Sequence, residues 1–369
     1  MFYKNARIFC PDFQFHIGAF EVKDGKFGAV LPENVPSDAV DLQGATVIPG
    51  LVEIHSHGNS GADFSDGDYE GLKKMAAFYA QHGVTSFAPA SMTLPYDVLE
   101  KAFATAVQLK KEQPKGLSVL RGIQMEGPYF SYKKRGAQNP DYLKDPDFEG
   151  FRKLWEGCDG LVKIVDVAPE LPGAKEFTEQ ASKLCTVSVA HTDSDYDHAR
   201  AVFDAGARHL THLYNAMPAI SHRAPGVIPA AVETPGVRAE LICDGYHVHP
   251  ASVRLAFSML ISDSGRCAGM PEGTQFQLGG QDCWLRDGVA KLADGTIACS
   301  ATNMWTCLTN VISWGVKEED AVRAATYNPA CAIGAEKEVG TIEEGKAADF
   351  LVCAPDYSAM QVYLAGEKL

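Results

Sequence analysis

Pro49-Gly50-Leu51-Val52-Glu53-Ile54-His55-Ser56-His57-Gly58 is the stretch on which the reading of this chain turns. A short apolar run ends in two histidines one residue apart, with glycines on both sides. Alternate residues of an extended segment point the same way, so His55 and His57 share a face and can share a metal. Taken alone the pair says little, because histidines also serve as plain polarity at a strand end. It gains weight from the chain behind it. Strand-like runs recur at 85–88, 120–125, 162–167, 187–190, 209–213, 239–243 and 260–262, with helical stretches such as 69–82 and 97–111 between several of them. This alternation predicts an α/β protein, a (β/α)8 TIM barrel.

The polar residues fall where such a barrel does its chemistry. Glu126 follows the third run and His191 the fifth, His212 ends the sixth, His247 follows the seventh, and Asp263 ends the eighth. Strand C-termini form the active face of these barrels, so side chains far apart in sequence are expected to meet in one pocket. A carboxylate placed directly after a buried strand needs a partner, and a metal is the strongest available. Glu126, His191 and His212 make three protein ligands with a fourth position open, the pattern of a catalytic zinc rather than a structural one. Asp263 is the carboxylate left at the mouth. A divalent metal lowers the pKa of water to ~7, and a neighbouring carboxylate can take that proton and return it to a leaving group. Capping of a helix start is the simpler alternative for Asp263.

Outward from this centre, the first 48 residues alternate apolar runs with turn residues, Asp24-Gly25 among them, and residues 340–364 do the same. Both chain ends are expected to build one small β-sandwich accessory domain, residues 1–48 with 338–369, around a catalytic barrel of residues 49–337. The chain has 369 residues, 46% hydrophobic, and 33 basic against 47 acidic side chains give a net charge of −14. That length suits one barrel of ~250 residues with an appendage. The apolar content excludes disorder as the main state. The acidic balance argues against nucleic acid, whereas a small anionic substrate needs only a few local cations. No apolar run is long enough to span a membrane, and Met1–Arg7 reads as neither a signal nor a transit peptide. Ten cysteines are scattered from Cys10 to Cys353 without a CxxC pair and read as reduced thiols. A cytoplasmic enzyme is expected.

Longer stretches carry a family resemblance. They are 49–58 itself, Glu126-Gly127-Pro128-Tyr129, Lys133-Lys134-Arg135-Gly136-Ala137, Ala168-Pro169-Glu170 and Ala190-His191-Thr192. His212-Leu213-Tyr214-Asn215-Ala216-Met217, Arg223-Ala224-Pro225-Gly226, Asp244-Gly245-Tyr246-His247-Val248 and Asn328-Pro329-Ala330 continue it. Over nearly its whole length the chain resembles the amidohydrolase superfamily, and within it the N-acetylglucosamine-6-phosphate deacetylases. The resemblance implies metal-dependent hydrolysis of the acetamide of N-acetyl-D-glucosamine 6-phosphate to D-glucosamine 6-phosphate and acetate, in amino-sugar catabolism. It implies Glu126, His191 and His212 as principal metal ligands and Asp263 as the base that then protonates the leaving amine. Ala137, Asn215, the Ala216 backbone, Arg223 and His247 are the implied substrate contacts. Family members that carry the first-strand histidines can hold a second metal, so His55 and His57 leave one or two metals open. Imidazole suits Zn²⁺ and Fe²⁺ alike, with Zn²⁺ the first expectation. The resemblance also implies a homodimer.

One departure stands out. Where the family usually has a histidine that polarises the acetyl carbonyl, this chain has Gln138, which can donate a hydrogen bond but carries no charge. Two other readings stay open on that account: a deacetylase for N-acetylgalactosamine 6-phosphate or another N-acyl compound, and a sugar-phosphate sensor without turnover.

Overall fold

The computed structural model describes all of residues 1–369. Eight parallel strands follow one another around a barrel in sequence order. The first is Leu51–Glu53, the second Val84–Phe87 continued by Ala90–Ser91, and the third Val119–Leu120 continued by Ile123–Met125. Val162–Val167, Thr186–Val189, His209–Leu210, Arg238–Ile242 and Met259–Ile261 are the fourth to the eighth. Each pairs with the next in parallel. The eighth meets the first at the C-terminal rim, where the Asp263 N–H donates to the His55 carbonyl (2.9 Å) and the His57 N–H to that of Ser264 (2.8 Å). The chain thus forms the TIM-like barrel that the alternation predicts.

Burial on both faces explains why these strands read as continuous apolar runs. The helix Tyr69–Gln81 shows how the outer layer packs. It buries Leu72, Met75, Ala76, Tyr79 and Ala80, the spacing that puts one stripe of a helix against a core. Its start is capped by Asp68, whose side chain accepts from the Glu70 N–H.

Both chain ends contribute to one eight-stranded sheet beside the barrel. Phe350–Cys353 runs antiparallel to Thr46–Pro49, and the far edge, Lys26–Val30, returns to residues 345–347 through Phe27. Tyr3, Phe20, Phe27, Phe350 and Tyr363 form its aromatic core, with the Phe350 and Tyr363 rings stacked at 4.4 Å. Arg7 ties this sheet to the barrel by a two-pronged contact, 2.5 and 2.8 Å, with Glu318 at the start of the helix Glu318–Ala325.

One element goes unread in the sequence. Residues assigned simply to the barrel include a separate antiparallel sheet, Gln275–Leu278, Gln281–Arg286, Val289–Leu292 and Ile297–Ser300, between the eighth strand and the helix Met304–Ser313. Its signal was present in the turn pairs Asp287-Gly288 and Asp294-Gly295. Cys267, Phe276, Leu278, Cys283 and Leu285 give it a core of its own. It matters here because Ile297 and Ala298 form part of the wall of the cavity described next.

Candidate active site

The rim of the barrel gathers six side chains from five strands. His55 and His57 lie beyond the first strand, Glu126 directly after the third, and His191, His212 and Asp263 two residues past the fifth, sixth and eighth. All six are buried, none more than 8% exposed. Three of them sit on left-handed backbone: φ is +42° at His191, +30° at His212 and +48° at Asp263. Such backbone costs of order 1–3 kcal/mol per residue, although His and Asp tolerate it better than most. Here it is pinned by neighbours, since the Ser131 N–H donates to the His191 carbonyl (2.9 Å) and the Ser300 N–H to that of Asp263 (2.8 Å). No helix begins at Asp263, so a capping role for it falls away.

Glu126 stands at the centre. Its Oε1 lies 3.1 Å from both His191 Nε2 and His212 Nε2, and those two nitrogens are 3.0 Å apart. Its Oε2 lies 3.3 Å from His57 Nε2, and His55 Nε2 lies 3.6 Å from Oε1. Asp263 Oδ1 approaches His57 Nε2 at 3.5 Å and His55 Nε2 at 3.7 Å. The outer ring nitrogens decide where the protons sit. His191 Nδ1 meets the Lys134 carbonyl at 2.9 Å and His57 Nδ1 the Ala90 carbonyl at 3.2 Å. A carbonyl only accepts, so in the neutral rings each Nδ1 carries the proton and each Nε2 turns a lone pair inward. His55 Nδ1 donates to Glu240 Oε2 at 2.7 Å, between two side chains that are wholly buried.

This donor set fits a metal. His55 Nε2 is buried and has no hydrogen-bond partner. Ligands around one tetrahedral ion with bonds of 2.0–2.2 Å lie about 3.3 Å apart, close to the spacing among Glu126, His191 and His212. Two clusters, His55–His57–Glu126 and Glu126–His191–His212, share the one carboxylate. The residues can therefore hold one or two divalent ions.

Charge is arranged accordingly. Burial alone would raise the Glu126 carboxyl, but His191, His212 and His57 hold it well below the usual carboxylate range. Burial would likewise lower His57, yet Asp263 and Glu126 hold it up at about 10, so a metal has to displace the proton from its Nε2 before that nitrogen can bind. Asp263 stays below its ordinary value against burial, because His55 and His57 face it, and so it is ionised at neutral pH.

Three acids beneath the rim escaped the sequence reading. Glu240 accepts from His55 and, at 3.2 Å, from the His212 N–H. Glu53 accepts from the His55 N–H at 3.0 Å and the Ser262 N–H at 3.1 Å, joining the first strand to the eighth, and burial pushes it up to about 7. Asp166 is raised well above its ordinary value by burial and then by Glu126 and Glu240, and its oxygens accept from Gln124 and Thr211. Each of the three interrupts an apolar strand run, the one signal that could have found them.

Above the cluster opens a cavity of about 330 Å³, lined among others by Lys134, Ala137, Gln138, Asn215, Ala216 and His247. Gln138 is 3% exposed and held at both ends of its amide. Its Oε1 accepts from the Thr93 N–H at 2.8 Å, which fixes Nε2 on Glu126 Oε2 at 2.6 Å. One N–H of that amide therefore positions the shared carboxylate and the other remains for a substrate. His247 Nδ1 meets Asp244 Oδ2 at 2.6 Å, and against the effect of burial Asp244 holds the imidazole above its ordinary value. Arg223, by contrast, lies on the exposed 219–224 loop outside the lining of the cavity. Lys133 and Lys134, not singled out as substrate contacts in the sequence, do line it.

Known proteins resemble this chain in sequence and in fold. A model described as the amidohydrolase family matches residues 46–368. N-acetylglucosamine-6-phosphate deacetylase of Vibrio furnissii is 32% identical over 358 residues, covering 95% of this chain and 87% of its own. N-acetylgalactosamine-6-phosphate deacetylase of Escherichia coli O157:H7 is 29% identical over 354 residues, covering 94% and 93%. Among solved structures, a mutant N-acetyl-D-glucosamine-6-phosphate deacetylase from Mycobacterium smegmatis, in complex with N-acetyl-D-glucosamine 6-phosphate, superposes with a TM-score of 0.92. It is 30% identical, and the alignment covers 100% of this chain and 98% of that one.

Proposed function

The chain belongs to the amidohydrolase family, and from that premise we propose that it is a metal-dependent deacetylase that hydrolyses N-acetyl-D-glucosamine 6-phosphate to D-glucosamine 6-phosphate and acetate. The observation that carries this reading is one cavity with the Glu126-centred cluster at its inner end and His247 with Asn215 at its outer end. Glu126, His191 and His212 would hold the principal ion, Zn²⁺ in the first instance with Fe²⁺ as the other candidate, and His55 and His57 a second. The metal supplies Lewis acidity toward the amide carbonyl and lowers the pKa of water.

Everything else falls to the protein's own side chains. Asp263, ionised and buried, takes a proton from the attacking water and delivers it to the amide nitrogen as the C–N bond breaks. Water thus ends as acetate oxygen, and the amine leaves neutral. The free N–H of Gln138 is aimed from beside Glu126 toward the acetyl carbonyl. At the outer end His247, backed by Asp244, and Asn215 with the Ala216 backbone receive the phosphate. Ala137 closes the wall beside the sugar, and Arg223, outside the lining on the exposed 219–224 loop, reaches the phosphate only if that loop turns inward.

A second reading keeps the chemistry and changes the sugar. The galactosamine-acting relative and the charge-neutral Gln138 favour N-acetylgalactosamine 6-phosphate. Acetate release by metal-loaded protein decides between them when both phosphosugars and unphosphorylated N-acetylglucosamine are compared. The proposal expects the glucosamine phosphate to turn over fastest, and equal turnover with and without phosphate would remove the phosphate assignment. We assign residues 1–48 and 338–369 to an accessory β-sandwich and 49–337 to the catalytic barrel, in a two-fold dimer. The ten unpaired cysteines suit a reducing, cytoplasmic setting, and no helix is long and apolar enough to cross a membrane.

A further inference from the structure

The opposite end of the barrel holds a second cavity, of about 600 Å³, where the third to the sixth strands begin. Each of these four neighbours brings a cation to or near its start, Arg121 from the break within the third strand. Arg121 precedes Ile123–Met125, Lys163 lies at the head of Val162–Val167, Lys183 precedes Thr186–Val189, and Arg208 precedes His209–Leu210. Lys110, from the end of the helix Tyr96–Glu112, is a fifth, and Glu338, paired with Arg121, is the one acid in the lining. Five positive charges against one negative collect here in a chain whose sum is −14.

The protein itself satisfies this cluster only in part. Lys163 donates to the Gly160 carbonyl at 2.8 Å, Lys110 to that of Leu120 at 3.3 Å, and Arg208 to those of Phe203 and Ala207 at 2.6 Å. Carbonyls near helix ends do favour cations, but they supply no full counter-charge. An ammonium has three donors and a guanidinium five, so several remain free. The crowding also registers on Lys110, whose ammonium is held below its ordinary range first by burial and then by Arg121 and Lys163. The guanidinium of Arg121 is 10% exposed and also held by Ser86 Oγ at 3.2 Å, a fixed and nearly buried floor to the cavity.

We propose that this cavity is a binding site for a compact metabolite carrying two phosphate groups, separate from the active site. The spacing argues for two. Adjacent strands lie about 4.8 Å apart, so four strand heads span about 14 Å, more than a single phosphate bridges. The volume falls within the range of small-molecule sites, and arginines at both ends offer forked contacts to phosphate.

Fructose 1,6-bisphosphate, which has no acetamide, serves as probe, titrated calorimetrically into metal-loaded protein at fixed ionic strength with inorganic phosphate as comparison. The expected result is one saturable site per chain, at least about tenfold tighter for the bisphosphate, in line with the extra charge-assisted contacts. Lys163→Gln with Lys183→Gln should weaken it about tenfold or more, as should Lys183→Glu alone, while deacetylation without probe stays unchanged. Lys183 is exposed, so Lys183→Glu leaves the fold intact and keeps the test decisive. His247→Asn should leave binding untouched. Absence of saturable binding overturns the proposal, as does phosphate binding as tightly as the bisphosphate. Binding that His247→Asn abolishes and the lysine variants spare would place the probe in the active site instead, and the proposal would fail.

Discussion

At the inner end of the active cavity the four histidines, Glu126 and Asp263 each leave a barrel strand within four residues, whereas at the outer end Lys134, Asn215 and His247 stand on loops. The inner groups are over-determined. Glu126 meets four histidines and Gln138, and His55 is fixed by Glu240 from behind. The outer groups are held by fewer and longer contacts, Lys134 by the Met217 carbonyl at 3.3 Å and Asn215 by those of His212 and Leu213 at 3.4 and 3.5 Å, while His247 rests on Asp244 three residues along the same loop. A site divided in this way should respond in two different manners to mutation. Changes at the inner end should act on kcat and metal content, and changes at the outer end on KM for the phosphorylated sugar.

The sharpest test of that division is Glu126→Gln. The amide keeps the shape but removes the charge shared by both histidine clusters, so both metal positions should empty together. Turnover should fall by more than the ~10²–10⁴-fold that loss of a general acid–base group costs. Elemental analysis after dialysis checks it, and a variant that kept one full equivalent would show that the clusters do not share Glu126. Asp263→Asn comes next. It leaves every ligand of the Glu126–His191–His212 cluster in place, so kcat should drop ~10²–10⁴-fold with KM little changed. A rise in KM without a fall in kcat would move Asp263 from the inner class to the outer one.

Glu240→Gln is milder and divides the inner end itself. Second partners of metal-bound histidines are worth ~10–100-fold in metal affinity. Only the His55 and His57 side should weaken, and the protein should lose about one equivalent of metal while Glu126, His191 and His212 keep theirs. Unchanged metal content would reduce Glu240 to a packing role.

Which of these residues could be read in advance follows from the same division. His55, His57, Glu126, His191, His212 and Asp263 were legible because each breaks an apolar run at its end, where a barrel turns side chains toward one face. Glu53, Asp166 and Glu240 also break apolar runs, but from within the run, and a charge flanked by apolar residues reads as a face toward solvent until the barrel closes around it. The two-sided hold on Gln138 was out of reach for another reason. Thr93 lies 45 positions away, and no local pattern announces that pairing. The sheet of residues 275–300 carried ordinary hairpin signals, yet it is an insertion, and a reading that counts eight barrel units has no place for it. Arg223 was implied by the resemblance, and the structure puts it on the exposed 219–224 segment, outside the lining of the cavity.

The smallest effect belongs to the outer end and depends on pH. Burial opposes the charge on His247, but Asp244 at 2.6 Å and, more remotely, Asp263 lift its pKa above the ordinary 6.5. The imidazolium that meets the phosphate is therefore fully formed below pH 6.5 and is lost only as pH climbs through the raised value. The same sign holds for stability: between the ordinary carboxylate value of 3.8 and pH 6.5 the His247–Asp244 pair contributes fully, and it fades as the pH rises through the raised value of His247 or falls through the lowered value of Asp244. A hydrogen bond to a charged group is worth about 1–1.5 kcal/mol more than a neutral one, so KM for the phosphosugar should rise about tenfold across that titration. KM for unphosphorylated N-acetylglucosamine should stay flat over the same range, because it has no group for the imidazolium to hold. Asp244→Asn removes the partner that lifts His247, and the rise in KM should then begin at lower pH. If both sugars showed the same rise, or if Asp244→Asn left its midpoint in place, the pH dependence would lie at the metal cluster and the two ends of the cavity would not be separable.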